Sequence, residues 1–256
     1  MVTSKHNYLP TAEDLPDSDE TPVDNELQNG IPNLLLGILK WIWRDRSDWF
    51  WGIDMGIYYD LNVKNPKKSK PIVPDGFLVL GVQRLTGEGG RLSYVLWQEK
   101  VLPILVLEVV SHKYNGEYQE KLEKYEELGI LYYVIYNPLS GRRGIHKRHQ
   151  PLEVYKLTDG KYELMPSVLL LQADGGRMVW MPEISLGIGY EQRSQDNWQR
   201  EWVYWYDDNG RRYAERSEAA EERANRAEAI ARQEQQEKEK LAAYLKSLGI
   251  DPEQIP

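Results

Sequence analysis

The chain has 256 residues, 41% of them hydrophobic, with a formal net charge of −8 and no cysteine. That length suits one domain of ordinary size plus an appendage, with a core large enough to need no disulfides. Zero Cys excludes disulfides, thiolate zinc sites and cysteine nucleophiles. Four histidines (His6, His112, His146 and His149) leave little for His-rich metal chemistry. Hydrolytic chemistry here would rest on carboxylates, lysines and hydroxyls.

No apolar run reaches the roughly 18 residues of a membrane span. The opening MVTSKHNYLPTAEDLPDSDE is polar and acidic, unlike a signal peptide. The expectation is a soluble, cytoplasmic protein with no membrane partner. The negative charge is unevenly placed: residues 1–26 carry one Lys against seven acids, and residues 207–256 carry nine Lys/Arg against twelve acids. Residues 27–206 hold 22 basic against 21 acidic residues, so the overall charge does not exclude a nucleic-acid partner for that stretch.

Residues 1–23, with several Pro, Asp and Glu and no sustained periodicity, read as an extended arm or a disordered leader. Asp24 reads as an N-cap for NELQNGIPNLLLGILKWIW, where Leu27, Leu34, Leu35, Ile38 and Ile42 recur near helical spacing. Gly30 and Pro32 interrupt it, which predicts a helix broken near Ile31. From Trp49 the runs WFWGIDMGIYYDL, PIVPDGFLVLGV, SYVLW, PILVLEVV, YYVIYNP, LEVYKL and YELMPS predict strands. ILVLEVV and YYVIY are apolar almost throughout, as central strands are. Between them Tyr118, Leu122, Tyr125 and Leu128 follow helical spacing, and Gly129 ends that helix. Helix, strands, a βαβ unit and a hairpin make an α/β domain with a mixed sheet over residues 24–206.

Residues 207–256 begin with the turn Asp207-Asp208-Asn209-Gly210 and continue as Glu, Arg, Ala, Gln and Lys. A heptad seam runs through Ala220, Ala224, Ala227, Ala231, Glu234, Lys238, Leu241, Leu245 and Leu248. It predicts a long helix, solvated or paired in a coiled coil, with Gly249 and Pro252 as its stop. Its acidity points to a protein partner or a second copy of the chain rather than DNA.

Most of the 40 acids are surface charges. Glu108 is the exception, lying inside an apolar strand where an unpaired carboxylate would be costly. Asp75, after Pro74 and before FLVL, is a second. Glu108 could instead be neutralised in a buried ion pair, and Asp75 could simply form a turn. Two converging carboxylates suit a divalent cation with oxygen ligands. Lys121 and Lys124, on the helix that follows, add a cation that could steady a phosphate or orient water.

Pro74-Asp75, then Leu107-Glu108-Val109-Val110-Ser111, then Glu120-Lys121-Leu122-Glu123-Lys124-Tyr125, then Leu128-Gly129-Ile130 and Tyr132-Tyr133-Val134-Ile135-Tyr136-Asn137-Pro138 together resemble the Uma-type family of restriction endonucleases. That family lies within the PD-(D/E)XK nuclease superfamily. The likeness covers about residues 20–165 and extends to members with a long C-terminal helix. It implies a restriction-endonuclease-like mixed sheet flanked by helices and a Mg²⁺- or Mn²⁺-dependent endonuclease acting on DNA. Asp75 and Glu108 would be the metal ligands, the Val109 carbonyl a third, and Lys121 the catalytic lysine. The superfamily's lysine two residues after the acid is absent, since position 110 is valine. Lys121 matches a lysine moved to the helix, with Lys124 and Lys113 as substitutes. Glu26, on the first helix, matches an early acid that could extend the metal shell.

Two basic clusters, Lys64, Lys67, Lys68 and Lys70, and Arg142, Arg143, His146, Lys147, Arg148 and His149, read as loops that could meet DNA. Nine Trp and seventeen Tyr are too many for a surface and belong mostly to the core. Two other functions fit the same residues: an interaction protein that keeps the fold but uses the C-terminal helix to associate, and a carboxylate-lysine hydrolase of a substrate other than nucleic acid.

Overall fold

The structure of the protein, a computed structural model, describes residues 9–16, 25–60, 69–112, 115–141, 144–173, 175–195 and 197–247. The chain divides into two units, residues 1–213 and 214–256.

The first unit opens with α1 (Glu26–Ile42), capped by Asn25 rather than Asp24. The Asn25 side chain accepts from the Leu27 N–H at 2.9 Å, and Gln28 Oε1 accepts from the Asn25 N–H at 3.2 Å. The helix is continuous through Pro32, against the predicted break. Proline removes one intrahelical bond. The buried face of Leu27, Ile31, Leu35, Ile38 and Leu39 offsets that loss by packing on the sheet.

The strands β1 (Trp49–Ile53), β3 (Gly76–Leu80), β5 (Leu105–Val109), β6 (Tyr132–Tyr136), β7 (Leu152–Thr158) and β8 (Lys161–Leu164) form one six-stranded sheet in the order β1-β3-β5-β6-β7-β8. Only β5 and β6 run parallel, joined by α3 (Glu120–Leu128), so the sheet is mixed as expected. Gly129 closes α3 in the left-handed conformation, φ 80°. Two short strands, β2 (Ile57–Tyr58) and β4 (Tyr94–Val95), pair beside it. The predicted strand SYVLW is only two residues long, because Leu96–Glu99 turn into a short helix, α2.

Sequence patterning did not reveal the second sheet: β9 (Val168–Leu169), β10 (Arg177–Met181), β11 (Leu186–Gln195) and β12 (Trp198–Tyr206), in the order β12-β11-β10-β9. Together with α1 it covers one face of the six-stranded sheet. Trp205 stacks edge-on against Trp51 and donates its indole N–H to the Leu35 carbonyl at 3.1 Å. The other face, with Phe77, Val79, Val106, Val110 and Ile135, packs against α3 through Tyr125. Strand alternation therefore places Glu108 on the α3 face, between Val106 and Val110.

Part of the opening arm is fastened to this unit. Leu15 is buried, Pro10 and Pro16 accept from Trp97 and Tyr58, and the Ala12 N–H donates to Gln98. In the second unit, α4 (Arg216–Ser247) is exposed along almost its whole length and carries the i,i+4 pairs Glu228–Arg232, Gln233–Glu237 and Gln235–Glu239. Gly249 and Pro252 lie outside the described residues. Among the described residues no helix is long and apolar enough to cross a membrane.

Candidate active site

Pairing of β3 with β5 sets Gly76 opposite Leu107, which brings the next residues outward, Asp75 and Glu108, side by side at one end of the sheet. A Cβ on Gly76 would sit 2.9 Å from the Trp51 ring, so the residue after Asp75 has to be small. Asp75 Oδ2 accepts the Val109 N–H at 2.6 Å. Its Oδ1 faces the Gln28 amide at 3.4 Å, so the same glutamine that caps α1 also reaches the carboxylate.

Glu108 is 1% exposed and meets two residues of α3. Lys121 Nζ lies 2.7 Å from its Oε2, and the Tyr125 hydroxyl donates to Oε1 at 2.6 Å. Residues four apart share a helix face, which is how α3 delivers both groups to one carboxylate. The side chain of Lys121 is 20% exposed, against 1% for Glu108. Glu108 is thus in a buried ion pair, and its partner is the same lysine that the family resemblance singled out.

These charges perturb one another. Burial, then the charge of Glu108, push the Asp75 carboxyl well above the usual range, with Asp54 adding to the rise and the Val109 N–H and Lys121 opposing it. Burial likewise raises Glu108, opposed by Lys121 and Tyr125 and assisted by Glu117. Burial works to lower the Lys121 amine, but Glu108, Asp75 and Glu117 outweigh it and leave it above an ordinary lysine.

Among the described residues no three of His, Asp and Glu stand together as a ready-made metal cluster. The Asp75–Glu108 pair nevertheless fits a hard divalent cation. Each carboxylate has about four lone pairs and uses two of them here. Mg²⁺ characteristically takes one or two carboxylates and completes its shell with water and phosphate oxygen. A carboxyl raised by burial and by a neighbouring negative charge, as Asp75 is, is what such a cation relieves.

The remaining expected residues are dispersed. Glu26, exposed on the first turn of α1, lines a cavity with Val110 and His112, and it is Gln28 that reaches Asp75. Lys124 pairs with Glu127 and sits over the Tyr59 ring. Lys70 is exposed. Lys147 and Arg148 are exposed on a 3-10 turn, Gly144–Arg148, rather than in an irregular loop. That turn is anchored beside α3: the His149 ring stacks on Tyr118 at 3.5 Å between centroids, and its Nδ1 lies 3.0 Å from Glu153 Oε1. Lys64, Lys67, Lys68, Lys113, Arg142 and Arg143 fall outside the described residues.

Sequence reasoning missed Gln28, Tyr125 as a Glu108 partner, and the buried acid Glu117, whose Oε2 accepts the Asn115 N–H. The first two had signals: Asn25-x-x-Gln28 is a capping pattern, and Tyr125 follows Lys121 by four residues. Glu117, in the polar run YNGEYQ, had none.

A family model described as "Putative restriction endonuclease" matches residues 19–187, which span the carboxylate strands and α3 as well as the start of the second sheet. No curated protein and no solved structure matches the chain. With this match over most of its length and the restriction-endonuclease-like mixed sheet beneath it, the chain belongs to the Uma2 family.

Proposed function

We propose that this protein is a divalent-cation-dependent DNA endonuclease that hydrolyses phosphodiester bonds with Mg²⁺, or Mn²⁺ in its place. One observation carries the reading: two neighbouring carboxylates, Asp75 and Glu108, lie at one sheet end with Lys121 at 2.7 Å from the second. Asp75, Glu108 and the Val109 carbonyl would hold the cation, whose chemistry is to polarise a phosphoryl oxygen and lower the pKa of a bound water. Gln28 and the Val109 N–H fix the orientation of Asp75, and Tyr125 fixes that of Glu108. Lys121, charged and partly exposed, is placed to donate to a phosphate oxygen or to the attacking water. Lys70, Lys147 and Arg148, together with Lys67, Lys68, Arg142 and Arg143, are the proposed contacts to the DNA backbone. Glu26 is kept as a further acid on the approach to the site. Conversion of supercoiled plasmid to nicked or linear DNA in Mg²⁺, abolished by EDTA and by Asp75→Ala, tests the assignment.

A second reading is favoured by the exposed Ile230, Leu241 and Tyr244 of α4. In it the chain associates with a copy of itself or another protein through the C-terminal helix, independently of the carboxylates. Removal of residues 214–256 would then abolish association, while Asp75→Ala would leave it unchanged.

A further inference from the structure

A cavity of about 160 Å³ is lined by residues close in the chain to Gln28 and Glu108. Glu26 and Leu27 of α1 line it, and Gln28 of the same turn reaches Asp75. Val110, two residues beyond Glu108, lines it from the end of β5. Its other walls come from Asn25, from His112 after β5, from Pro138 and Leu139 after β6, and from Trp198 and Arg200 at the start of β12. That strand lies in the second sheet, outside the segment matched to the family.

Arg200 lines this cavity and makes no ion pair among the described residues. Its Nε is buried and has no hydrogen-bond partner. Among the described residues Arg200 donates to the Pro138 carbonyl at 3.5 Å and also shares a side-chain hydrogen bond with Tyr136. The guanidinium instead lies over the Trp198 ring, 4.6 Å from its centroid, with Trp202 at 5.8 Å and Tyr136 at 6.0 Å. Trp198 itself is 42% exposed.

These features select among ligands. The cavity is smaller than the roughly 300–1,000 Å³ of sites for drug-sized molecules, and its walls are mainly apolar and aromatic. A free phosphate would meet the carboxylate of Glu26 at the rim as well as the guanidinium. A planar heterocycle offers a π-face to Trp198, ring acceptors to Arg200 and N–H donors to Glu26. Guanine carries all three, with O6 and N7 as acceptors suited to arginine.

We propose that Trp198 and Arg200 form a subsite for one unpaired nucleobase, guanine preferred, on the DNA strand entering the carboxylate site. The subsite rests on the nuclease reading for the identity of its substrate. It makes β12 a specificity element: the base next to the cleaved bond is held by stacking on Trp198 and by the Arg200 guanidinium, and Glu26 reads its donor edge.

The test is fluorescence anisotropy of the full-length protein in EDTA, with a labelled oligothymidylate and the same strand carrying one central guanine. The wild type is expected to bind the guanine strand more tightly. Trp198→Ala should weaken that binding about tenfold, within the range of one lost base stack. Arg200→Gln should equalise the two strands. Because Trp198 is exposed, its variant removes little core, and a thermal melt matching the wild type establishes that it is folded. Equal affinity of the wild type for the two strands, absence of binding, or variants that bind both strands like the wild type would each overturn the subsite. Cleavage is not read in EDTA, so an inactive cation site leaves this outcome unchanged. Intact plasmid cleavage with no base preference would remove the subsite and leave the endonuclease.

Discussion

Lys121 holds one oxygen of Glu108 at 2.7 Å, and the other oxygen is occupied from the same helix by the hydroxyl of Tyr125. The carboxylate is almost fully buried and the lysine is not. This asymmetry fixes which partner is the more costly to lose. Lys121→Met leaves a buried carboxylate without its countercharge and should destabilise the protein by roughly 3–5 kcal/mol at neutral pH. Glu108→Gln keeps the acceptor for Tyr125 and leaves a lysine that can turn to solvent, so its loss should be smaller. The double variant should recover part of the Lys121→Met loss, a coupling that urea denaturation of the four proteins measures directly.

Tyr125→Phe removes a charge-assisted hydrogen bond without changing the packing of the ring. A loss of about 1.5–3 kcal/mol in urea denaturation is expected, with the Glu108 carboxyl raised further because one of the groups opposing its rise is gone.

Asp75 gives a pH prediction. Its carboxyl titrates above its unfolded value, first through burial and then through Glu108, so the folded protein holds that proton more tightly than the unfolded chain. Stability from this group is fully present below the unfolded pKa and is lost as pH rises through the raised, folded pKa. Asp75→Asn should therefore raise the Tm of the metal-free protein at pH 7 and not at pH 4. The wild type should regain stability at pH 7 when Mg²⁺ is added, by about 2.7 kcal/mol at a hundredfold excess over Kd, or roughly 5–11 °C. Chelation should reverse the gain, and Asp75→Asn should not show it. Thermal melts across pH, with and without Mg²⁺, check all of these outcomes.

Glu108 was legible in the sequence because the cost of burying charge makes an acid in an apolar strand such as ILVLEVV conspicuous. The residues alone left Lys121 and Lys124 as alternatives, and it was the family resemblance that singled out Lys121. The βαβ unit was equally plain, since LVLEV and YYVIY are long apolar runs around a helical repeat. The second sheet was hidden for a physical reason. Gly187 and Gly189 dilute the strand signal of β11, and its far half, EQRSQ, is polar. Those glycines are needed where they lie: a Cβ at Gly189 would come within 2.5 Å of the Arg177 carbonyl oxygen and 2.6 Å of the Met178 Cβ on β10. The one available cue was the connection between Gln195 and Trp198, which pair across a two-residue turn in which Asn197 takes φ 63°. The helix through Pro32 shows the converse, where tertiary packing overrides a local breaker.

Gly189→Ala follows from that close approach. The backbone oxygen of Arg177 cannot move without disturbing the β10–β11 ladder. A destabilisation of about 3 kcal/mol, the upper end of ordinary overpacking, is expected in denaturant titration, with α4 helicity unchanged in the circular dichroism that persists.

The central claim is that Asp75, Glu108 and Lys121 act as one hydrolytic unit on DNA. Single-turnover cleavage of supercoiled plasmid in Mg²⁺ by the wild type, Asp75→Ala, Lys121→Met and the double variant tests it most directly. Residues that act together are not additive when removed. Each single variant should lose at least about a hundredfold in rate, the scale of one lost electrostatic contact to the transition state, and the double variant should lose no more than the worse of the two. Cleavage by Asp75→Ala at the wild-type rate, or no cleavage by the folded wild type in Mg²⁺ or Mn²⁺, would contradict it.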